Sequence, residues 1–333
     1  MSRNVVLGTS DKMEPEHLII LAHGINGSPK DLGYLEHQLR VGLSTRTLVV
    51  CSKSNFSRTK DGLVAGGNRL VEEIRSYAEA HPSLRQLSLI GNSLGGIYVR
   101  YAIGHLDFDA KSQTFLGRLE PLIFMTIASP HLGMRTFTYY PTFLHRFVRV
   151  LYGKTGEDLI LRDAVSSQDE SHSRFLDGMP LLVRMATSEQ YLVPLRSFSH
   201  RRLYANISKD LAVPCGTAAF QPNFRGGRQI EFLNGPSQQS RVQVFESIIP
   251  QTGMHEDASV VENHSTPYEQ IMARNLDKCG WHKVGIQFSG CIGDAHNRIC
   301  AWSRHKLGEW YFKSGRVVMD DAVRAFQTKS SSS

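Results

Sequence analysis

A serine between two glycines is the residue of this sequence whose surroundings most directly indicate chemistry. Residues 91–95 (GNSLG) match G-x-S-x-G, the pattern of a sharp strand-to-helix turn that exposes a nucleophilic serine. The bare pattern is weakly specific, because composition alone would produce it in roughly one chain of this kind in four. Its context is more informative, since an apolar run ends at Ile90 and an amphipathic helical pattern begins at Leu94. We therefore predict that Ser93 is the nucleophile of an acyl-transfer reaction, in preference to an ordinary glycine-rich connection.

The loop after an earlier apolar run supplies the expected counterpart of this serine. In strand–turn–helix sites, one N–H donor to the oxyanion is the amide of the residue after the nucleophile, here Leu94, and the other lies in a loop after an upstream strand. Residues 21–28 (LAHGINGS) occupy that position, and we predict the Ile25 amide as the second donor. We interpret His23 as a structural residue that orients the loop, because the histidine of such a site follows the serine in the chain.

Chain order and strand ends select one acid and one base. In sites of this kind the serine is followed by an Asp or Glu and then by a His. Asp210 follows the apolar segment 202–207, and His296 follows the segment 283–288 and a short glycine-containing loop. Both are expected at the sheet edge that carries the serine, so we predict Asp210 as the acid and His296 as the base. The alternatives are a loop-capping role for Asp210 and a surface position for His296.

Three other residues are weaker candidates for these roles. His305 and His282 are rival bases, but His282 begins a predicted strand and is expected at the opposite edge of the sheet. Asp294 is a rival acid, but it lies too close in sequence to His296 for the usual arrangement on separate loops.

The elements that must hold these residues alternate between strands and helices. Short apolar runs bounded by turn residues predict buried parallel strands, and apolar residues at helical spacing occur at 63–78, 97–106 and 319–326. The alternation predicts an α/β fold, in which a mainly parallel central sheet is flanked by helices on both faces. The predicted strands are His17–Ala22, Thr47–Cys51, Gln86–Ile90, Pro121–Ile127, Arg202–Ile207 and Lys283–Phe288.

The stretch 131–200 interrupts this alternation after the strand that follows the serine turn. It is rich in aromatic residues at first and then polar and irregular. We predict that it is an insertion in a single domain spanning 16–329, with an N-terminal extension at 1–15 and a disordered tail at 330–333. The stretch 221–267 is rich in Gly, Gln and Ser in places and is expected to form loops.

Composition argues against several other classes of protein. The 333 residues are 41% hydrophobic and 21% charged, and no uncharged apolar stretch approaches the roughly 18 residues of a membrane span. The first residues lack the pattern of a secretory signal. Five irregularly spaced cysteines without a C-x-x-C pair favour a reduced, cytoplasmic setting and argue against structural zinc. The net charge of +7 comes from scattered Lys and Arg, so we expect no nucleic-acid partner, and no metal or cofactor is needed.

An amphipathic stretch at 131–162 suggests contact with a lipid surface. Basic amphipathic segments lie at anionic membrane interfaces, so we hypothesise a peripheral, reversible contact with a membrane or lipid droplet. The alternative is a helix packed on the sheet with its arginines in water, as in most amphipathic helices. The apolar residues are Phe137, Tyr139, Tyr140, Phe143, Leu144, Phe147, Val148 and Leu151, and the basic residues among them are Arg135, His145, Arg146 and Arg149.

Seven sequence blocks in a fixed order resemble the lipase-like serine esterase family of the α/β-hydrolase superfamily. The likeness covers roughly residues 16–304, except that the stretch 221–280 does not align with the family. The blocks are HLIILAHGINGSPKDL, TKDGLVAGGNRLVEEI, LSLIGNSLGGIYVRYAIG, TIASPHLG, KTGEDLILRD, RRLYANISKDLAVPCGTAA and AHNRICAW.

The resemblance implies an α/β-hydrolase fold with a cap-like insertion after the strand that follows the serine turn. It supports Ser93, Asp210 and His296 as the triad and implies hydrolysis of lipid esters. A lipid acyltransferase or a protein acyl-thioesterase would use the same triad, so the sequence does not separate these from an esterase. A catalytically silent scaffold would have no need of all three residues. A dehydrogenase is disfavoured because no G-x-G-x-x-G follows a strand at the right place.

Overall fold

A seven-stranded sheet runs through the part of the chain that the computed structural model describes, which is residues 14–137, 147–163, 178–224, 242–246, 265–289 and 293–327. Its strands are β1 (His17–Ala22), β2 (Thr47–Cys51), β3 (Gln86–Asn92), β6 (Glu120–Ile127), β7 (His200–Asn206), β8 (Val242–Glu246) and β9 (His282–Phe288). The short strands β4 (Phe108–Asp109) and β5 (Thr114–Phe115) pair as a separate antiparallel hairpin.

The order of the strands decides which loops meet. Across the sheet the order is β2-β1-β3-β6-β7-β9-β8, and every neighbouring pair is parallel except β9 with β8. Parallel neighbours end at the same edge, so the loops after β1 and β3 adjoin, as do the loops after β7 and β9. These are the loops in which the sequence places Ile25, Ser93, Asp210 and His296.

Helices cover both faces of the sheet. The helices in the described residues are α1 (Gly33–Gly42), α2 (Leu63–Ala80), α3 (Leu94–Ile103), α4 (Val148–Leu159), α5 (Leu181–Thr187), α6 (Glu189–Ser197), α7 (Cys215–Ala218), α8 (Pro267–Asp277), α9 (Ala295–Ile299), α10 (Lys306–Tyr311) and α11 (Arg316–Gln327). The hydrophobic core on one face includes residues of α2, α3, α5, α6 and α8, and the core on the other includes residues of α1, α9 and α11. The predicted mainly parallel sheet with flanking helices is confirmed.

The first strand shows why the predicted strands are uninterrupted apolar runs. Leu18 and Ile20 join the core on the α3 side, whereas Ile19 and Leu21 join the core on the α1 side. Successive side chains of a strand point to opposite faces, and both faces of this sheet are covered. Apolar residues are therefore needed at every position of β1.

The stretch 131–200 divides into two parts of different character. In the first turn of α4, Val150 and Leu151 are exposed, and this helix is interrupted at Gly153, whose φ and ψ are 61° and −151°. By contrast, α5 and α6 bury Leu182, Met185 and Leu195 in the main core. Residues 181–197 thus contribute to the hydrophobic core. Among the described residues of this stretch, the exposed apolar surface expected of a cap lies in α4.

The stretch 221–280 contains two elements that the sequence interpretation missed. Strand β8 adds an antiparallel edge to the sheet where loops were expected. Helix α8 begins with a capping box, in which Thr266 Oγ1 accepts from the Glu269 amide at 3.3 Å and the Glu269 carboxylate accepts from the Thr266 amide at 2.7 Å. The T-x-x-E pattern was thus a usable helix signal. Most of the predicted extension (1–13) and all of the predicted tail (330–333) lie outside the described residues.

Candidate active site

Ser93 lies on a strained turn between β3 and α3. Its φ and ψ are 54° and −125°, a conformation that costs a non-glycine residue about 1–3 kcal/mol. Its amide donates to the Ile127 carbonyl at 2.8 Å, which ties the turn to the end of β6. The turn therefore presents the Ser93 hydroxyl at the carboxyl edge of the sheet, at the amino end of α3.

The glycines around Ser93 are required by close backbone contacts. A Cβ on Gly91 would lie 2.4 Å from the Gly96 Cα, and a Cβ on Gly95 would lie 2.1 Å from the Ala22 carbonyl oxygen. Real side chains do not approach so closely, so neither position accepts even an alanine without movement of the backbone. The spacing of the motif thus follows from the packing of α3 against β3 and β1.

His296 links the Ser93 hydroxyl to a carboxylate. It lies in α9, just after β9, and its Nε2 is 3.0 Å from Ser93 Oγ. Its Nδ1 is 3.0 Å from Asp210 Oδ2, and its side chain is 16% exposed. Nδ1 donates to the carboxylate, so Nε2 of the neutral imidazole is free to accept the hydroxyl proton. The structure thus joins Ser93, His296 and Asp210 in one chain of hydrogen bonds.

Asp210 accepts four hydrogen bonds. It follows β7 and is 1% exposed. Its Oδ1 accepts from the Ala212 and Val213 amides at 3.0 and 2.8 Å, and its Oδ2 accepts from Asn206 Nδ2 at 2.7 Å as well as from His296. Four donors to one buried carboxylate fix its orientation. Asn206 was not predicted, and its place at the end of β7 is the sole sequence signal for it.

The surroundings of His296 favour its protonated form. Burial lowers the pKa of the imidazole, but the charge of Asp210 and the hydrogen bond to it outweigh that effect, so the pKa of His296 is raised above its ordinary value. An imidazole whose pKa is raised accepts a proton more readily, which suits a general base.

The loop after β1 packs directly against the serine. A Cβ on Gly24 would lie 2.8 Å from Ser93 Cβ and 3.2 Å from Ser93 Oγ. Ile25 is the next residue of this loop, and Leu94 is the first residue of α3. The two predicted oxyanion donors therefore belong to segments that adjoin Ser93 from different sides. Their role stays a prediction.

His23 is built into the same loop. Its side chain is buried, and its Nδ1 is 3.0 Å from the Gly24 carbonyl oxygen, to which it donates as the neutral tautomer. Burial is the main reason that the pKa of His23 is lowered. A neutral histidine that bonds its own loop fits the structural role expected from the sequence.

The rival residues lie elsewhere. His282 begins β9 and so lies at the amino edge of the sheet, whereas His305 precedes α10 and packs its ring against Trp302. Asp294 pairs with Arg298 at 3.3 Å and accepts from the Tyr311 hydroxyl. None of these contacts involves Ser93.

A cavity of about 620 Å³ lies between α1, β2 and the segment after α9. It is separate from the hydrogen-bonded chain, because Ser93, Asp210 and His296 are not among its lining residues. The residues that line it include Lys30, Tyr34, Arg40, Cys51, Ser303 and Arg316.

The described residues contain four free thiols, all buried, at Cys51, Cys215, Cys279 and Cys300, whereas Cys291 lies outside them. Within the same residues, no three or more His, Cys, Asp or Glu side chains are grouped to hold a metal ion. None of the helices described here is long and apolar enough to span a bilayer.

Two curated relatives of the chain come from yeasts. The chain is 31% identical to "Putative lipase C4A8.10" of Schizosaccharomyces pombe, over 63% of this chain and 27% of the relative. It is 30% identical to "Putative lipase ROG1" of Saccharomyces cerevisiae, over 65% of this chain and 30% of the relative. The chain therefore matches less than a third of the length of either relative.

The similar solved structures have low sequence identity to this chain and low TM-scores. Lipase BlEst2 of Bacillus licheniformis aligns with 62% of this chain and 70% of its own, at 16% identity and a TM-score of 0.34. An extracellular α/β-hydrolase from a Paenibacillus species aligns with 62% of this chain and 84% of its own, at 13% identity and a TM-score of 0.36. The fold assignment rests on the strand order and on the turn at Ser93.

A family model covers most of the sheet and two of the three linked residues. The model described as "Putative serine esterase (DUF676)" matches residues 12–221, which include Ser93 and Asp210. His296 lies beyond the match, and its two hydrogen bonds connect it with Ser93 and Asp210. The predicted resemblance is confirmed, and the chain belongs to this serine esterase family.

Proposed function

We propose that this protein hydrolyses carboxylic esters through a Ser93–His296–Asp210 triad, and that its substrates are lipid esters. The observation that carries the proposal is the continuous hydrogen-bonded chain, with 3.0 Å from Ser93 Oγ to His296 Nε2 and 3.0 Å from His296 Nδ1 to Asp210 Oδ2. A strained serine, a base within reach and a carboxylate that orients the base form the arrangement that activates a hydroxyl nucleophile.

The first half of the proposed reaction forms an acyl-enzyme. Ser93 Oγ attacks the ester carbonyl carbon while His296 Nε2 takes the hydroxyl proton, and the carbonyl oxygen becomes an oxyanion bound by the Ile25 and Leu94 amides. The imidazolium, stabilised by Asp210, then gives the proton to the alcohol oxygen. The carbon–oxygen bond to the alcohol breaks, the alcohol leaves, and the acyl group stays on Ser93.

The second half returns the enzyme to its starting state. A water molecule gives a proton to His296 Nε2 and its oxygen attacks the acyl carbon, which forms a second oxyanion at the same two amides. The bond between the acyl carbon and Ser93 Oγ then breaks, and Oγ takes the proton back from His296. The carboxylic acid is released with no net change in the protein.

An acyltransferase would share the first half of this reaction but pass the acyl group to an alcohol instead of water. A thioesterase would release a thiol instead of an alcohol in the first half and share the second. The test is therefore a comparison of acceptors and esters rather than of triads. Purified protein is assayed with p-nitrophenyl esters of increasing chain length, a phospholipid, an acyl thioester and a lipid alcohol as competing acceptor. We expect ester cleavage with water as acceptor. Preferential transfer to the alcohol would replace hydrolysis by acyl transfer as the function.

The same assay tests the role of the serine with a matched control. Ser93→Ala should lower kcat by about 10⁴-fold or more, because it removes the nucleophile. Ser76→Ala changes an exposed serine on α2 and should leave kcat unchanged. Ester cleavage that survives in Ser93→Ala would contradict the proposal.

We further propose that α4 rests on an anionic lipid surface. Before the interruption at Gly153, Val150 is 80% exposed, and Phe147 and Leu151 are exposed as well. The side chain of Arg149, among them, is 73% exposed and pairs with Glu157 at 3.2 Å. Exposed apolar residues beside a basic one are the pattern of an interfacial segment. Tyr139, Tyr140 and Arg146 of the predicted amphipathic stretch lie outside the described residues.

Two hydrogen bonds of the chain around α4 support a position of this proposed surface near the serine. Thr155 Oγ1 donates to the Thr59 carbonyl at 2.8 Å, and Thr59 Oγ1 accepts from the Asn26 amide at 2.9 Å. Two hydrogen-bonded steps thus connect α4 with the loop that adjoins Ser93. A lipid surface under α4 would lie beside the site rather than at the opposite edge of the sheet.

Vesicle binding tests the lipid contact. Reversal of charge at Arg149 removes two units of charge attraction, and at about 1 kcal/mol per charge the affinity for phosphatidylserine vesicles should fall roughly 30-fold. Arg196→Glu is the matched control, since Arg196 lies in the last turn of α6, near the amino edge of the sheet. Equal binding by Arg149→Glu, Arg196→Glu and wild type would remove the proposed contact.

A further inference from the structure

An arginine after α9 holds the loop that follows β1. Arg304 Nε donates to Asp31 Oδ1 at 2.7 Å and Arg304 Nη2 donates to Asp31 Oδ2 at 2.8 Å, although the residues are 273 positions apart in the sequence. The same Nη2 donates to the Asn26 carbonyl at 3.0 Å. Two parallel hydrogen bonds from a guanidinium fix the relative orientation of both groups, which a single contact does not.

Asp31 passes this constraint to the base of the loop. Its Oδ2 accepts from the Ser28 amide at 3.0 Å and its Oδ1 accepts from the Ser28 hydroxyl at 3.0 Å. The carboxylate is buried, and each of its oxygens therefore receives one donor from Ser28 and one from Arg304. Within the loop, the Gly27 amide donates to the Gly24 carbonyl at 3.0 Å, which closes a tight turn around Ile25 and Asn26.

The loop so held is the one that adjoins Ser93. A Cβ on Gly24 would lie 3.2 Å from Ser93 Oγ, so there is almost no free space between loop and serine. Ile25 lies between Gly24 and Asn26, whose carbonyl Arg304 contacts. A shift of the Asn26 carbonyl would therefore move the Ile25 amide relative to Ser93.

One short segment carries both the base and this guanidinium. The Trp302 amide donates to the Asn297 carbonyl at 3.1 Å, which folds the chain after α9 back toward His296. The Ser303 hydroxyl donates to the Lys30 carbonyl at 3.0 Å, beside the contact between Arg304 and Asp31. The segment 296–304 is thus fastened at one end to the triad and at the other to the loop after β1.

We infer that Arg304 is a positioning residue for the oxyanion hole, which acts through Asp31 and the Asn26 carbonyl to set the Ile25 amide. The inference rests on the proposed function, because it assigns a geometric cause to the oxyanion donor in that reaction. Arg304 donates its hydrogen bonds to Asp31 and to the Asn26 carbonyl, so it acts on the loop rather than on the proton transfer between Ser93 and His296. It holds a donor whose loss would cost about 10²–10³-fold in rate.

The inference predicts a specific pattern in the kinetics of Arg304→Gln. The glutamine lacks the charge and the paired donors, so the Ile25 amide is expected to be displaced rather than lost. We expect kcat to fall about 10- to 100-fold, KM to stay within about twofold, and the acidic midpoint of the pH profile to stay unchanged because the His296–Asp210 pair is intact. Arg304→Lys keeps the charge without the fork and should lie between Gln and wild type.

Two measurements separate positioning from a general structural role. Ser93 Oγ adds to the carbonyl carbon of a trifluoromethyl ketone while its proton goes to His296, and the ketone oxygen becomes an oxyanion. The affinity for this ketone should therefore fall in parallel with kcat/KM in Arg304→Gln. The double variant Asp31→Asn/Arg304→Gln should lose about as much activity as the worse single variant, because both act through the same contact. Arg46→Gln is the matched control, since Arg46 forms an exposed ion pair with Glu16.

The decisive experiment measures kcat/KM and ketone affinity for wild type, Arg304→Gln, Arg304→Lys and Arg46→Gln, each with its thermal unfolding midpoint. A parallel loss in folded Arg304→Gln, partly restored in Arg304→Lys, supports the inference. A folded Arg304→Gln within twofold of wild type, or a loss that follows only the folded fraction, overturns it. A wild-type protein that neither cleaves esters nor binds the ketone overturns the proposed function and this inference with it.

Discussion

Replacement of Asp210 by asparagine changes one oxygen into an NH₂ group at the point where four donors converge. If the asparagine keeps its oxygen on the Ala212 and Val213 amides, its Nδ2 faces both Asn206 Nδ2 and His296 Nδ1. Donor then faces donor. The imidazole removes the clash between the two donors if its proton moves from Nδ1 to Nε2, because Nδ1 then accepts a hydrogen bond from the asparagine.

That exchange of tautomers disables the base. Nε2 then carries a hydrogen that points at Ser93 Oγ, 3.0 Å away, and it no longer accepts the hydroxyl proton. A wrong tautomer with otherwise intact geometry costs about 10⁴ in kcat, or roughly 5 kcal/mol of transition-state stabilisation. The Asn206 amide also loses its acceptor, which should lower the free energy of unfolding by about 1–3 kcal/mol.

The assay is kcat/KM for an ester substrate, with Asp294→Asn as the matched control. Asp294 is the other carboxylate near His296 in sequence, but it contacts Arg298 and Tyr311 instead. We expect Asp294→Asn to stay within about threefold of wild type, as for a surface substitution. An Asp210→Asn enzyme that keeps more than a tenth of wild-type activity, or an equal loss in Asp294→Asn, would refute the assignment of Asp210.

Three further predictions concern pH and packing. The raised pKa of His296 means that kcat/KM should rise with pH through a midpoint above 6.5, since only the neutral imidazole accepts the proton; a midpoint below 6.5 would contradict this. The His296–Asp210 pair should contribute its full stability below the pKa that His296 has in the unfolded chain, and this contribution should decline as pH rises through the raised pKa of His296 in the folded protein. The measurement is the difference in unfolding free energy between wild type and His296→Gln, taken as a function of pH. Gly24→Ala places a Cβ 2.8 Å from Ser93 Cβ and should lower kcat by about 10²-fold. Gly42→Ala is the matched control, because its Cβ would meet Gln327 Nε2 at 3.0 Å and Val323 Cγ1 at 3.3 Å, neither of them part of the triad, and it should leave kcat unchanged; equal rates in the two variants would argue against the contact.

The site was predictable from sequence where its signals are local. The turn at Ser93 is marked by glycines that the backbone contacts require, and Asp210 and His296 each follow an apolar strand. The position of His282 at the start of a predicted strand argued against it, and His282 does lie at the opposite edge of the sheet. The six predicted strands were recognisable because a sheet covered on both faces needs apolar residues at successive positions.

Other contacts have no local signal. The bond between Arg304 and Asp31 joins residues 273 positions apart, and nothing in either neighbourhood marks the partner. Arg100 is a similar case, because an arginine on an amphipathic helix is expected in water. It is instead fully buried, and it donates to the carbonyls of His131 and Leu182 at 3.1 and 3.2 Å. Such residues are placed by the packing of distant segments, which a single sequence does not reveal.

The central claim is that Ser93 is an activated nucleophile, and covalent labelling tests it most directly. Wild type, Ser93→Ala and His296→Ala are incubated with a fluorophosphonate probe, with and without phosphatidylserine vesicles, and the modified peptide is identified by mass spectrometry. The account predicts labelling of wild type at Ser93, none in Ser93→Ala and strongly reduced labelling in His296→Ala. A folded wild type that stays unlabelled under both conditions, or that is labelled at another residue, would contradict it.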